Sequence, residues 1–256
     1  MKFCVLASGS KGNSIYVSSG STQILIDAGV SRKVIRERLA EIGVEIGSVN
    51  ALCVTHNHTD HVAGLPVIAS RHGLSLYATE GTCSTVEFNT RKQFEWNVFQ
   101  AGSRFQIGNL RIDPFAVSHD ATDPVGFVIS DETCRLGIAT DMGEVPDLVR
   151  HHLAGCHALI IEFNHDRELL LNSDRPWSLK QRILGRKGHL SNDQASELLR
   201  SVAGEQLRTV FLAHLSEECN TPVIAFQSAE SALAACGLAG VTQVRVHSWP
   251  SPVIEV

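Results

Sequence analysis

The run Thr55-His56-Asn57-His58-Thr59-Asp60-His61 gathers four metal-competent side chains within six residues. In an extended segment alternate residues point the same way, so His56 and His58 can share one ion. Asp60 and His61 come at a turn into a helix and can face a second ion nearby. Neutral imidazoles with a carboxylate suit zinc, manganese or iron. A pair of such ions activates a water and stabilises charge on attacking and leaving oxygens, which makes hydrolysis the chemistry to expect. A solvated polar loop with chance histidines is the bland alternative. It fits poorly with the apolar strand that runs into the cluster.

That strand covers residues 51–55, and 59–72 read as a helix ended by Gly73. Upstream, β-like runs at 2–7, 14–17 and 23–26 precede a helix-like segment, 31–42, with Ser31 as N-cap and Gly43 as stop. Residues 103–107, 110–117, 126–130 and 134–139 look like a meander with Gly/Asp-rich turns. A helix near 146–153, a buried strand at 158–162 and a helix at 191–202 follow. A strand at 209–213, a helix at 222–236 and a strand at 243–247 complete the order. Two halves, each of strands followed by helices, predict an α/β architecture of two packed sheets with helices outside, in one domain spanning 1–256.

At 256 residues and 43% apolar composition the chain can bury a sizeable core. No apolar run reaches the roughly 20 residues that cross a bilayer. The first residues, Met1 to Leu6, meet Ala7-Ser8-Gly9-Ser10 too soon for a signal-peptide core, so a cytoplasmic enzyme is expected. Seven widely spaced cysteines without a CxxC suit reduced thiols. The net charge of −5 excludes a protein that coats nucleic acid by bulk electrostatics. It leaves room for an enzyme with a local basic groove, because bound cations also attract phosphate.

HxHxDH after an apolar strand resembles the signature of the metallo-β-lactamase superfamily. That resemblance implies an αββα four-layer sandwich, two mixed β-sheets with helices outside, and a metal site at one edge of both sheets. It also implies further metal positions downstream, each ending a strand. His119 ends Ala116-Val117-Ser118-His119, Asp141 ends Gly137-Ile138-Ala139-Thr140-Asp141, and His214 ends Val210-Phe211-Leu212-Ala213-His214. Asp27, ending Gln23-Ile24-Leu25-Ile26-Asp27, matches an early aspartate that supports the site. By resemblance, metal one takes His56, His58 and His119, and metal two takes Asp60, His61 and His214. Asp141 and a hydroxide bridge the two ions. Taken singly, a histidine at a strand end is more often a surface residue, and Asp27 and Asp141 before glycine or in a turn could be turn formers.

Members of that superfamily hydrolyse β-lactams, thioesters, small phosphodiesters and nucleic acids. Ile160-Ile161-Glu162 and Gly188-His189-Leu190-Ser191 resemble the phosphodiesterase branch that includes tRNA 3′-processing ribonuclease. The resemblance implies that Glu162 orients and charges His189, which acts as general acid, with Asp60 the remaining catalytic residue. Nearly the whole chain is similar to the YycJ/WalJ (VicX) exonuclease subfamily. The matching runs include Ala7-Ser8-Gly9-Ser10-Lys11-Gly12-Asn13-Ser14, Glu162-Phe163-Asn164-His165-Asp166 and Pro176-Trp177-Ser178-Leu179-Lys180. This implies a 5′→3′ exonuclease on double-stranded DNA, with manganese a plausible activating ion.

A physical trace points the same way. Arg167, Arg175, Lys180, Arg182, Arg186 and Lys187 crowd the segment before His189, interleaved with Trp177. Cations beside a metal site would bind a phosphate backbone, and Trp177 could stack on a terminal base. A solvated helix face with Trp177 as core anchor is the alternative. The early loop with Ser8 and Asn13 could line the cleft or be a tight strand connection. Ser191 and Asn192 are further substrate-side positions, and His165 a supporting one. A small-molecule hydrolase acting on a cyclic phosphodiester or thioester is the runner-up. A regulatory binding module that has kept the fold is a third reading, disfavoured by the intact ligand set.

Overall fold

The computed structural model describes residues 1–240, 242–246 and 250–256, with only the backbone of Arg71 and His72. In the first sheet, β1 (Lys2–Ala7), β2 (Ser14–Ser19) and β3 (Thr22–Ile26) form an antiparallel meander. β4 (Ala51–Cys53), β5 (Ser75–Thr79) and β6 (Trp96–Phe99) extend it in parallel. Their crossovers are α1 (Arg32–Glu41), α2 (Thr59–Val62), α3 (Leu65–His72) and α4 (Glu80–Thr90). The second sheet begins with the antiparallel β7 (Phe105–Ile107), β8 (Leu110–Ala116), β9 (Val125–Ser130) and β10 (Arg135–Ala139). The parallel strands β11 (Ala158–Glu162), β12 (Thr209–Ala213) and β13 (Gln243–Val246) complete it. Helices α5 (Asp147–Leu153), α6 (Arg167–Asn172), α7 (Trp177–Leu184), α8 (Asn192–Val202) and α9 (Pro222–Ala235) belong to this half. β14 (Ile254–Glu255) returns to pair with β1 in the first sheet.

The strand period of two explains the layering. Ile24 and Ile26 of β3 face the second sheet and join Phe127, Ile138, Ile160 and Phe211 in an apolar layer between the sheets. Leu25 points the other way and packs with Ile35 and Leu39 of α1. On the far side, Leu159 and Ile161 of β11 meet Leu198 and Leu199 of α8 and Leu233 of α9. Three apolar layers thus separate four structural layers, the αββα sandwich expected from the sequence.

Element bounds differ from the sequence reading in a few places. The helix expected over 59–72 is two, because the Gly64 N–H leaves the helical ladder. It donates to Ala28 O at 2.7 Å, and a side chain on that glycine would lie 2.2 Å from Val30 O. Pro66 then opens α3. β5, α4 and β6 occupy a stretch with no sequence assignment. The basic segment folds as α6 and α7, stapled by a small apolar cluster of Leu170, Ile183 and Cys219. The last strand of the second sheet ends at Val246, and His247 lies outside the described residues. The seven cysteines are all unpaired, and no described helix is long and apolar enough to cross a membrane.

Candidate metal centre

Six strands deliver side chains to one edge of the sandwich. Asp27 follows β3, the histidine turn follows β4, and His119 follows β8. Asp141 follows β10, Glu162 ends β11 and His214 follows β12. Asp27, Asp141 and His214 leave their strands in the left-handed region, with φ of 62°, 60° and 55°. That backbone is uncommon for non-glycine residues and clusters at functional sites.

Two groups result. His56, His58 and His119 bring one ring nitrogen each to within 4.8 Å of one another, and so do the ligand atoms of Asp60, His61 and His214. His58 Nδ1 lies 3.2 Å from His119 Nε2. The Asp141 carboxylate stands between the groups, 3.3 Å from His61 Nε2, 3.4 Å from His214 Nε2 and 3.9 Å from His119 Nε2.

The residues present fit divalent cations. His56 Nε2 and Asp141 Oδ2 are buried and have no hydrogen-bond partner, which is costly unless another group satisfies them. Asp27 Oδ2 sits 2.7 Å from His61 Nδ1, leaving Nε2 toward the centre, and Thr55 Oγ1 donates to the same carboxylate oxygen at 2.7 Å. Histidines held by a carboxylate in this way are typical of metal ligands. Electrostatics agree. Burial alone would lower the pKa of His61, but Asp141 and Asp27 overcome it and raise it to about 10. Burial likewise opposes charge on His214, and Asp141, Asp60 and Glu162 drive its pKa well above the ordinary value. The carboxylates thus hold protons on the imidazoles, and a divalent ion would replace those protons.

Glu162 is fully buried and ties three parts of the site together. Oε1 lies 2.7 Å from His189 Nδ1 and 3.2 Å from His214 Nδ1. Oε2 accepts from the backbone N–H groups of Met142 and Leu190, both at 3.1 Å. Burial would raise its pKa; His189 and His214 more than reverse this and lower it. Burial also works against a charge on His189, and Glu162 beside it wins, so the pKa of His189 is raised. Its loop is docked on the His119 loop: Gly188 O lies 3.1 Å from His119 Nδ1, and Ser118 Oγ donates to Arg186 O at 2.9 Å.

The early loop buttresses the histidine turn. Asn13 is buried, its N–H donates to Asp60 O at 2.7 Å, and its amide nitrogen lies 3.0 Å from His61 Nε2. Ser8 Oγ accepts from His214 N at 2.7 Å. Both expected substrate positions are therefore engaged with candidate metal residues. Lys180 is not brought to the cleft. Its ammonium is sunk onto the Leu171 and Ser173 carbonyls at 2.7 and 2.6 Å, where it ties α7 to the end of α6. Ser191 caps α8 in a capping box, and buried Asn192 exchanges amide hydrogen bonds with Asn220. Trp177 is 60% exposed at the start of α7 rather than anchored in the core. Arg182 bonds Asp120 beside His58. His165 is fully buried, and neither ring nitrogen has a hydrogen-bond partner.

Sequence reading missed Thr55, Asp120 and Asn164. Asn164 Nδ2 donates to His214 O at 2.9 Å. Its place two residues after Glu162 was the available signal.

Comparison with known proteins agrees with this site. The beta-lactamase superfamily domain matches residues 22–214. The chain belongs to that superfamily and is a metallo-hydrolase. It is 33% identical to exodeoxyribonuclease YycJ of Bacillus anthracis, over 96% of this chain and 94% of that one. Exodeoxyribonuclease WalJ of Streptococcus pneumoniae serotype 2 is 34% identical, over 96% and 93%. Within the superfamily the chain is a member of this YycJ/WalJ family. Among solved structures, the metallo-beta-lactamase fold protein YhfI from Bacillus subtilis superposes with a TM-score of 0.75. At 16% identity, covering 100% of this chain and 98% of that one, it supports the fold alone.

Proposed function

We propose that this chain, as one domain over 1–256, is a metal-dependent exonuclease that hydrolyses phosphodiester bonds of double-stranded DNA from a 5′ end. The observation that carries the reading is the Glu162–His189 pair, 2.7 Å apart, beside two metal-competent trios with the Asp141 carboxylate within 3.9 Å of a histidine of each. A phosphodiester needs such an acid because an alkoxide leaves poorly. The end-to-end likeness to exodeoxyribonucleases supports DNA as the substrate.

His56, His58 and His119 would hold one ion, and Asp60, His61 and His214 a second, with Asp141 shared. Zinc, iron or manganese suits these donors, and the likeness to the exonucleases makes manganese the ion to test for activity. Bound there, divalent ions supply Lewis acidity and lower the pKa of water. Glu162 keeps the proton of His189 on the far side occupied, so that Nε2 presents the proton passed to the leaving oxygen. Asp27 and Thr55 fix the His61 ring. Trp177, exposed on α7, offers a face for a terminal base.

The test is turnover of a 5′-phosphorylated duplex by the manganese-loaded protein, run against cyclic nucleotides and a thioester. Stepwise release of nucleotides from the 5′ end is expected. Fast turnover of a small substrate with an intact duplex would overturn the assignment.

A further inference from the structure

Asp120 follows His119 and touches both the metal centre and the basic segment. Its carbonyl oxygen lies 3.3 Å from His58 Nε2, the nitrogen turned away from the candidate metal. Its Oδ1 lies 3.7 Å from the same nitrogen and 3.5 Å from His119 Nε2. Its Oδ2 accepts from Arg182 Nε at 2.6 Å. Its own N–H donates to Lys187 O at 3.1 Å, which fixes the loop against the end of the basic segment.

Three other cations of that segment are committed elsewhere, while Arg167 and Lys187 are exposed. Arg175 bonds Glu218 at 2.9 Å, Arg186 makes two bonds to Glu144, and Lys180 is sunk onto carbonyls. Arg182 is 58% exposed in its side chain, and among the described residues neither Nη has a protein partner. Asp120, which holds the guanidinium, also lies against His58 and His119, and Asp60 adds to the field that favours the charge. A guanidinium anchored through Nε keeps its Nη groups for a phosphate, with less side-chain freedom left to lose on binding.

We propose that Asp120 is a positioning residue that aims Arg182, and that the aimed Arg182 grips a backbone phosphate of the DNA beside the one being cleaved. The inference rests on the nuclease reading above and adds the residue that sets the grip. Asp120 links it to His58 and His119, so the clamped phosphate and the reacting one are held in one frame.

The experiment compares wild type, Asp120→Asn, Arg182→Ala and the double variant. Binding of a fluorescent 5′-phosphorylated duplex is measured on chelated protein, kinetics on the manganese-loaded protein, and metal per chain by elemental analysis. Each single variant is expected to raise both Kd and KM about 10-fold, with kcat within about 3-fold and metal content unchanged. The double variant is expected to match Arg182→Ala rather than multiply the two losses. Arg182→Ala should also lower the salt slope of binding by about one. Wild-type Kd and KM in Asp120→Asn, on a duplex the enzyme does cleave, would overturn this inference alone. Loss of metal and of kcat with unchanged KM would also overturn it, by making Asp120 part of the metal centre. A wild-type chain that holds metal and cleaves no DNA would remove this inference together with the nuclease reading.

Discussion

At the scale of single residues, the division of labour between His189 and Asp60 is open to direct test. His189 bonds Glu162 and belongs to neither of the two trios. His189→Ala should keep its metal and lose about 10²–10⁴-fold in turnover. Asp60→Ala should lose turnover and about half of the bound metal together, as elemental analysis would read. Metal loss in His189→Ala, or an unchanged rate, would remove it as the acid. The histidine turn stood out in the sequence because HxHxDH packs four donors into six residues, whereas His119 and His214 were reached only through the resemblance, since a histidine ending a strand is by itself more often a surface residue. The roles of Ser8, Asn13 and Lys180 were not legible there. Ser8 meets His214 across 206 positions, and no local pattern reports such a bond. Lys180 looked like a phosphate ligand by charge alone, and its two carbonyl partners are visible only once α6 and α7 fold.

At the scale of elements, tight backbone contacts hold the site. Gly29 is pressed against the histidine turn: a Cβ there would lie 1.6 Å from Asp60 O and 2.5 Å from Asn13 N. Gly29→Ala should cost about 3 kcal/mol, the upper part of the overpacking range, and displace Asp60, so denaturant melts and metal content should fall together. A different device closes the β9–β10 turn. Asp131 Oδ1 accepts from Thr133 N and Cys134 N at 3.0 and 2.9 Å, and Ser19 Oγ donates to Oδ2 at 2.8 Å. Burial pushes its pKa up, and these donors outweigh it and hold the carboxyl well below the usual range. A depressed carboxylate stabilises the fold above the ordinary aspartate pKa and loses that contribution as pH falls through its folded value. Asp131→Ala should therefore cost about 1–3 kcal/mol at neutral pH, with the gap to wild type closing in acid. Urea melts at several pH values would read it, and a gap that is constant with pH would contradict it. Strands with clear apolar runs, such as β11 and β12, were legible to the residue. β5, α4 and β6 were not, because α4, with Gly81 and three threonines, has little apolar periodicity.

At the scale of the whole molecule, the fold concentrates buried charge and left-handed backbone at one edge and offsets both with three apolar layers. Without cations His61 and His214 must hold protons against burial, and Asp141 lacks the charge it is built to face. Chelation should therefore lower the melting temperature. A ligand present at about 100 times its Kd contributes about 2.7 kcal/mol, or roughly 5–10 °C for a chain of this size, read by scanning calorimetry. An unchanged melt would mean that no cation binds the folded state. The path of the chain has a further consequence. The turn between β6 and β7 divides the molecule so that His56, His58, Asp60 and His61 lie before it, and His119, Asp141 and His214 after it. Each trio draws on both sides of that turn. A protein severed there would yield two fragments, each carrying an incomplete set of donors. Either fragment alone would be inert, and activity would return only on reassembly. DNA cleavage would then serve as a reporter of the encounter between two separate polypeptides.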